Sequence, residues 1–161
     1  MQPNIMTSRS PDNRDLDAGT EMILTLRLSD EIFGLPVQMV HEIIDPMPIT
    51  AVPNAPPHAP GLINVRGSVV PLFGLRNRLR IPEAPMSPTA RIVVIETEHD
   101  GASMRLAILA DAVDEVIDVD LSSLESVPDL GAPWPETYVS GVLRHAASLV
   151  VLLNTANLFR P

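Results

Sequence analysis

Short runs of alternating apolar and polar residues recur along most of the chain. In Glu21–Leu28, every second residue from Met22 to Leu28 is apolar, which predicts a strand with one face in a core. Comparable runs predict further strands at Ile32–Val37, Leu62–Val65, Ser68–Phe73, Arg91–Glu96, Met104–Ala110, Val113–Val119, Tyr138–Leu143 and Ser148–Leu153. Many short strands with glycine and proline turns indicate an all-β protein, and the length favours two small barrels over one large barrel.

The remaining segments are connections and short helices. Val40–Ile44 fits either a strand or a helical turn, and the proline-rich stretches 46–60 and 81–88 are predicted to be irregular. A helix start is predicted at Asp120 or Ser122, with Glu125 in the position of a capping box, and a short apolar helix at Thr155–Phe159. No internal repeat is evident from the sequence.

The polar segment of residues 1–20 is predicted to be a disordered tail, and residues 21–161 a folded unit. The tail lacks the apolar segment of a secretory signal, and the chain has no apolar run long enough to span a bilayer. A cytoplasmic location is expected from these features and from the absence of cysteine.

Composition narrows the class of partner. The net charge is −9 and aromatic residues make up 3% of the chain, which argues against binding to nucleic acids or to anionic membranes. All 11 basic residues are arginine, so lysine-dependent phosphate binding and Schiff-base chemistry are excluded. We therefore expect proteins or neutral small molecules as partners, and no cofactor.

No pattern predicts catalysis. The four histidines are far apart in the chain, so metal binding is not expected, and the acidic run 111–120 lacks the glycine and spacing of a calcium loop. No serine occupies a nucleophile elbow, and GLINVRGS does not match a phosphate loop. The sequence predicts that this protein is not an enzyme.

The segment GLINVRGSVVPL, residues 61–72, is the strongest local signal. Arg66-Gly67 between two apolar runs predicts a tight hairpin in which Gly67 has a positive φ. Alternation places Asn64 on the same side as Arg66. Arg66 is then either a solvated turn residue or a ligand for carbonyls or a carboxylate, and the two readings stay open here.

At this segment the chain resembles a known family. PGLINVRGSVVPLFGLR resembles the signature of CheW-type coupling proteins of bacterial chemotaxis. LRLSDEIFGLPVQMVHEII, RIVVIETEHDGASMRLAILADAVDEVIDV and YVSGVLRHAASLVVLLNTANLF resemble, in order, the family's first strand pair, later hairpins and closing hairpin.

The resemblance implies two five-stranded SH3-like β-barrels packed together, with short helices. It also implies a non-catalytic scaffold that links the cytoplasmic tips of chemoreceptors to the histidine kinase CheA. Receptor contacts would come from Val37, Val40, Glu42, Gly61 and Arg66, with Asn64 and Gly67 shaping the turn. Val37 and Val40 fit an ordinary core role equally well, and kinase contacts are not assigned.

The chain departs from the family pattern at two positions. Gly74 stands where the family has an aspartate, so any arginine paired with that acid must find another partner, and Val65 replaces a leucine. Three alternatives therefore stay open: a divergent module of a non-chemotaxis array, a decoy that occupies kinase sites, and a small β-barrel that binds anions through Arg66 and Asn64.

Overall fold

The computed structural model describes residues 19–127 and 133–160. In chain order, the strands are β1 Thr20–Leu28, β2 Glu31–Pro36, β3 Val40–Ile44, β4 Thr50–Ala51, β5 Gly61–Val65, β6 Ser68–Leu72, β7 Arg91–His99, β8 Ala102–Ala110, β9 Ala112–Asp120, β10 Val139–His145 and β11 Ser148–Leu153. The α-helices are α1 Leu75–Leu79 and α2 Thr155–Leu158, and 3-10 turns span Val37–Met39, Leu121–Ser123 and Glu136–Tyr138. The predicted all-β class with short helices is confirmed.

The strands form two sheets, which we call the first and second barrels. The first barrel has five strands in the order β9-β1-β2-β11-β10. The second has the order β3-β7-β8-β6-β5-β4, in which β4 is only two residues long. In each barrel one parallel pair, β2 with β11 or β8 with β6, joins antiparallel neighbours.

Three buried apolar clusters explain how the barrels pack. One cluster lies inside each barrel, and a third, larger cluster joins the two. In β7, Ile92 and Val94 belong to the interior cluster, whereas Val93 and Ile95 belong to the shared one. A central strand is therefore apolar on both faces, because each face meets a different core.

The prediction that only one face of β1 enters a core is wrong for the same reason. Leu24 and Leu26 join the shared cluster as expected, but Ile23 and Thr25 are also buried, on the interior face. The Thr25 hydroxyl donates to the Glu115 carbonyl and accepts from the Glu115 N–H, so this buried polar group is satisfied.

The two halves of the chain share one arrangement of elements. The half from β1 to α1, without β4, and the half from β7 to α2 run through corresponding strands, and the first barrel combines β1 and β2 with β9, β10 and β11. The second barrel combines β7 and β8 with β3, β5 and β6. The fold is thus an internal repeat whose halves exchange strands, a feature that the sequence did not reveal.

Sequence identity between the halves survives at only a few positions, which explains why the repeat was missed. Val40–Ile44, VHEII, corresponds to residues 113–117, VDEVI, and each segment carries a bulge at its second residue. GLINVRGSVVPL, residues 61–72, corresponds to GVLRHAASLVVL, residues 141–152. What the halves share is the apolar pattern, which strands of unrelated sequence also share.

The irregular segments refine the predictions. Val40–Ile44 is a strand, and the helical turn precedes it at Val37–Met39. Asp120 caps a single 3-10 turn, and hydrogen bonds from the Ser122 side chain and backbone hold the pKa of that carboxyl below its ordinary value. The predicted capping box with Glu125 is not formed, since Glu125 pairs through its backbone with Val142.

The predicted tail falls outside the described residues for positions 1–18, and β1 begins at Thr20. Within the parts of the chain that the structure describes, no helix has the length and apolar character needed to cross a bilayer.

Candidate binding site

The β5–β6 hairpin has the tight turn predicted from its sequence. Arg66 and Gly67 have φ values of 51° and 88°, so both central residues are left-handed, as in a type I′ turn. Asn64 Oδ1 accepts a hydrogen bond of 2.8 Å from the Gly67 N–H. The Asn64 side chain therefore holds the turn that presents Arg66.

The Arg66 side chain forms an ion pair with Glu42 of β3. Arg66 Nη1 lies 2.6 Å from Glu42 Oε1 and 2.8 Å from Oε2. The order of the sheet places β7, β8 and β6 between β3 and β5. The contact therefore bridges the seam at which the curled sheet closes, and it ties the hairpin tip to the opposite edge strand.

A bulge in β3 positions Glu42 for this contact. Val40 pairs with Ile95 and Glu42 with the adjacent Val94, so one extra residue, His41, is inserted between them. Half-buried Val40 packs against the shared cluster. The structure thus brings Glu42, Asn64, Arg66 and Gly67 together, with Val40 at the start of the same strand.

Two of the predicted site residues lie deeper or farther along the chain. Val37 is half-buried in the 3-10 turn before β3. Gly61 is buried at the start of β5, where a Cβ atom would lie 2.7 Å from Ile49 Cγ2 and 2.9 Å from the Thr50 carbonyl oxygen. Gly61 therefore allows β4 to approach β5, and any effect on binding would pass through that packing.

Two exposed apolar residues near the ion pair were missed by the sequence analysis. Val69, whose side chain is 65% exposed, pairs with Asn64 across the hairpin, and Ile43, 42% exposed, directly follows Glu42. The available signal was an apolar residue on the polar side of an alternating strand. Together with Glu42 and Arg66 they form a surface, which we call the seam patch, of one ion pair between apolar side chains.

The geometry does not favour a joint anion site of Asn64 and Arg66. Alternation does not extend to Arg66, because this residue belongs to the turn and not to β5. Its charge is matched by Glu42, and the Asn64 oxygen is used by Gly67. Neither group is directed at a common ligand.

The missing acid at Gly74 is compensated elsewhere. Arg76 Nη2 lies 2.5 Å from Asp111 Oδ2, and Nη1 donates to the Pro82 carbonyl at 2.6 Å. A Cβ at Gly74 would lie 2.5 Å from the Pro57 carbonyl oxygen. The proline-rich segment therefore occupies the space of an aspartate, and Asp111 supplies the acid.

The first barrel carries a related but different surface. Glu115 occupies the position of Glu42, after an equivalent bulge, and contacts His145 with Nε2 3.4 Å from Oε2. Ala146 occupies the position of Arg66, so the hairpin tip there carries no charge. The arginine is thus specific to the seam patch.

The expectation of no histidine metal site agrees with the described residues, in which no three His, Asp or Glu side chains gather as metal ligands. His41 and His145 instead lie beside single carboxylates, of Glu42 and Glu115.

Comparison with known proteins identifies the family. The family model described as CheW-like domain matches residues 22–161. The probable chemotaxis protein CheW of Rhizobium etli is 29% identical, over 91% of this chain and 92% of its own length, and the chemotaxis protein CheW of Rhizobium meliloti is 28% identical over the same shares.

The crystal structure of the scaffolding protein TtCheW from Thermoanaerobacter tengcongensis superposes with a TM-score of 0.74, at 28% identity and 88% coverage of both chains. The expected pair of packed SH3-like barrels is thereby confirmed. The chain belongs to the CheW-like family of chemotaxis scaffold proteins.

Proposed function

We propose that this protein is a non-catalytic adaptor that couples the cytoplasmic tips of chemoreceptors to the histidine kinase CheA, at receptor arrays on the cytoplasmic side of the membrane. The observation that carries the proposal is the seam patch, which is assembled from the residues that the family signature marks. Membership of a scaffold family supports the non-catalytic role.

The chemistry of the seam patch suits a helical partner. Val69 and Ile43 offer exposed apolar area on both sides of the Arg66–Glu42 pair. A helix that lays an apolar stripe on such a surface gains affinity from burial, and its polar positions can contact the ion pair. Val37 and Val40 would contribute through the strand that positions Glu42.

The observed pairing makes Arg66 a specificity element more than an anion trap. An approaching carboxylate would have to compete with Glu42 for the guanidinium, whereas neutral carbonyls can use the donors that Glu42 leaves free. The alternative of an anion-binding carrier is therefore not favoured.

The proposal is tested by binding and by kinase activity. Purified chain is titrated by calorimetry with a receptor-tip fragment and with CheA from the same organism, and autophosphorylation of CheA is measured with receptor present. We expect binding to both partners and receptor-dependent kinase activation. Absence of binding to either partner would overturn the coupling role, and inhibition without activation would identify a decoy.

The control variant is Arg105→Ala. Arg105 pairs with Glu96 at 3.3 Å on the same barrel and is similarly exposed, but it lies on β8, away from the hairpin. Loss of receptor binding in Arg66→Ala with retention in Arg105→Ala would assign the effect to the seam patch.

A further inference from the structure

Each barrel has a cleft at the equivalent place between its last strand and the helix that follows. In the first barrel, Pro36, Leu152, Leu153 and Ala156 line the cleft. The corresponding residues of the second barrel, which line the corresponding cleft, are Leu109, Leu72, Phe73 and Arg76. The correspondence follows from the register, since Leu152 pairs with Gly34 of β2 as Leu72 pairs with Ala107 of β8.

The cleft of the second barrel is bordered by an extended proline-rich segment of the same chain. Residues 83–86 form one wall of this cleft. The segment is held at one end by Arg76, which donates to the Pro82 carbonyl, and at the other by Thr89 Oγ1, which donates to the Asp111 carbonyl at 2.7 Å. We call residues 81–89 the strap.

Among the residues that the structure describes, the cleft of the first barrel has no strap. Its volume is about 350 Å³, and the half-buried Leu121 and Leu124 extend its apolar floor. Its polarity is also reversed. Arg76 is replaced by Ala156, and Glu21 stands where the second barrel has Ala90, so the lining includes a carboxylate and no basic group.

We propose that the cleft of the first barrel binds an extended, proline-rich segment of a partner protein that carries a basic residue. The strap supplies the precedent for the backbone shape, because an equivalent surface in the same molecule already takes such a segment. Proline fixes an extended backbone before binding, which lowers the entropic cost of ordering the segment. Glu21 supplies the charge complement for the basic residue.

The experiment uses the whole 15N-labelled chain and synthetic peptides of the strap, residues 80–90, in the native form and with Glu83→Arg. We expect the Glu83→Arg peptide to shift the amide resonances of Leu121, Leu124 and Ala156. We also expect it to bind about threefold more tightly than the native peptide, as one partly exposed ion pair allows. A third peptide, with Pro82, Pro85 and Pro88 changed to Ala, should bind more weakly than either.

The variant Ala156→Arg tests the charge argument, since Ala156 is exposed and the change copies Arg76. It should reverse the preference in favour of the native Glu83 peptide while leaving the melting temperature unchanged. The proposal is overturned if no peptide shifts these resonances, if the shifts fall on Leu75 and Arg76 of the other cleft, or if the order of affinity stays the same in Ala156→Arg. The result does not depend on receptor coupling, which is measured separately.

Discussion

Glu42 and Arg66 meet 2.6 Å apart across the seam of the second barrel. The Arg66 side chain is 72% exposed and that of Glu42 20%. An ion pair this open to water contributes at most about 1 kcal/mol to folding, because solvent screens the charges and ordering the side chains costs entropy. The pair shapes a surface more than it holds the barrel closed.

We therefore predict that Arg66→Ala weakens receptor binding about tenfold or more and lowers the free energy of unfolding by less than about 1 kcal/mol. Calorimetric titration with a receptor-tip fragment and urea unfolding give the two numbers. Unchanged receptor affinity in the folded variant would contradict the prediction. Exchange of the charges, Glu42→Arg with Arg66→Glu, separates the pair from the partner contact: restored binding would show that the pair itself matters.

Gly67→Val is predicted to act on stability instead. Gly67 has a φ of 88°, and a Cβ there would meet no atom within 4 Å. The cost is therefore the backbone strain of a left-handed β-branched residue, about 1–2 kcal/mol. Urea unfolding measures it, with Gly67→Asn as the control because asparagine tolerates this region. An equal loss in both variants would show that strain is not the cause.

The hairpin of the first barrel offers the reverse test. Ala146 and Ala147 occupy its turn with φ values of 48° and 67°. Ala147→Gly should raise the free energy of unfolding by about 0.5–1 kcal/mol, because relief of strain outweighs the added freedom of the unfolded chain. The same change in a strand, Ala102→Gly, should lower it. Thermal unfolding compares the two, and destabilisation by Ala147→Gly would contradict the turn geometry.

Asp111→Asn is predicted to destabilise the protein by about 2 kcal/mol. The Arg76 side chain is 12% exposed, so loss of its anionic partner leaves a largely desolvated charge. Asp111 Oδ2 also accepts the Ser29 N–H at 2.6 Å. Asp114→Asn is the matched control, since the Arg27–Asp114 pair is more exposed and should be worth less than about 1 kcal/mol. Equal effects in urea unfolding would refute the distinction.

Restoring the family residue by Gly74→Asp should also destabilise the chain, by about 1–3 kcal/mol. The new Cβ would press on the Pro57 carbonyl oxygen, and Arg76 already has an acid. Thermal unfolding of Gly74→Ala is the control, because it adds the Cβ without the charge. A stabilising effect of Gly74→Asp would show that the proline-rich segment yields readily.

The sequence determined the features that depend on neighbouring residues. Alternation located the hairpins, and Arg66-Gly67 predicted a two-residue turn with a left-handed glycine, because backbone sterics act within a few residues. The ordered motifs also indicated the family, and with it the two barrels.

Only the tertiary structure decided which distant residues meet. The Glu42–Arg66 pair, the replacement of the Gly74 acid by Asp111, and the exchange of strands between the two halves all join positions far apart in the chain. The burial of both faces of β1 has the same origin. Apolar periodicity specifies that a face is buried but not which element covers it, so these relationships arise from packing rather than from local pattern.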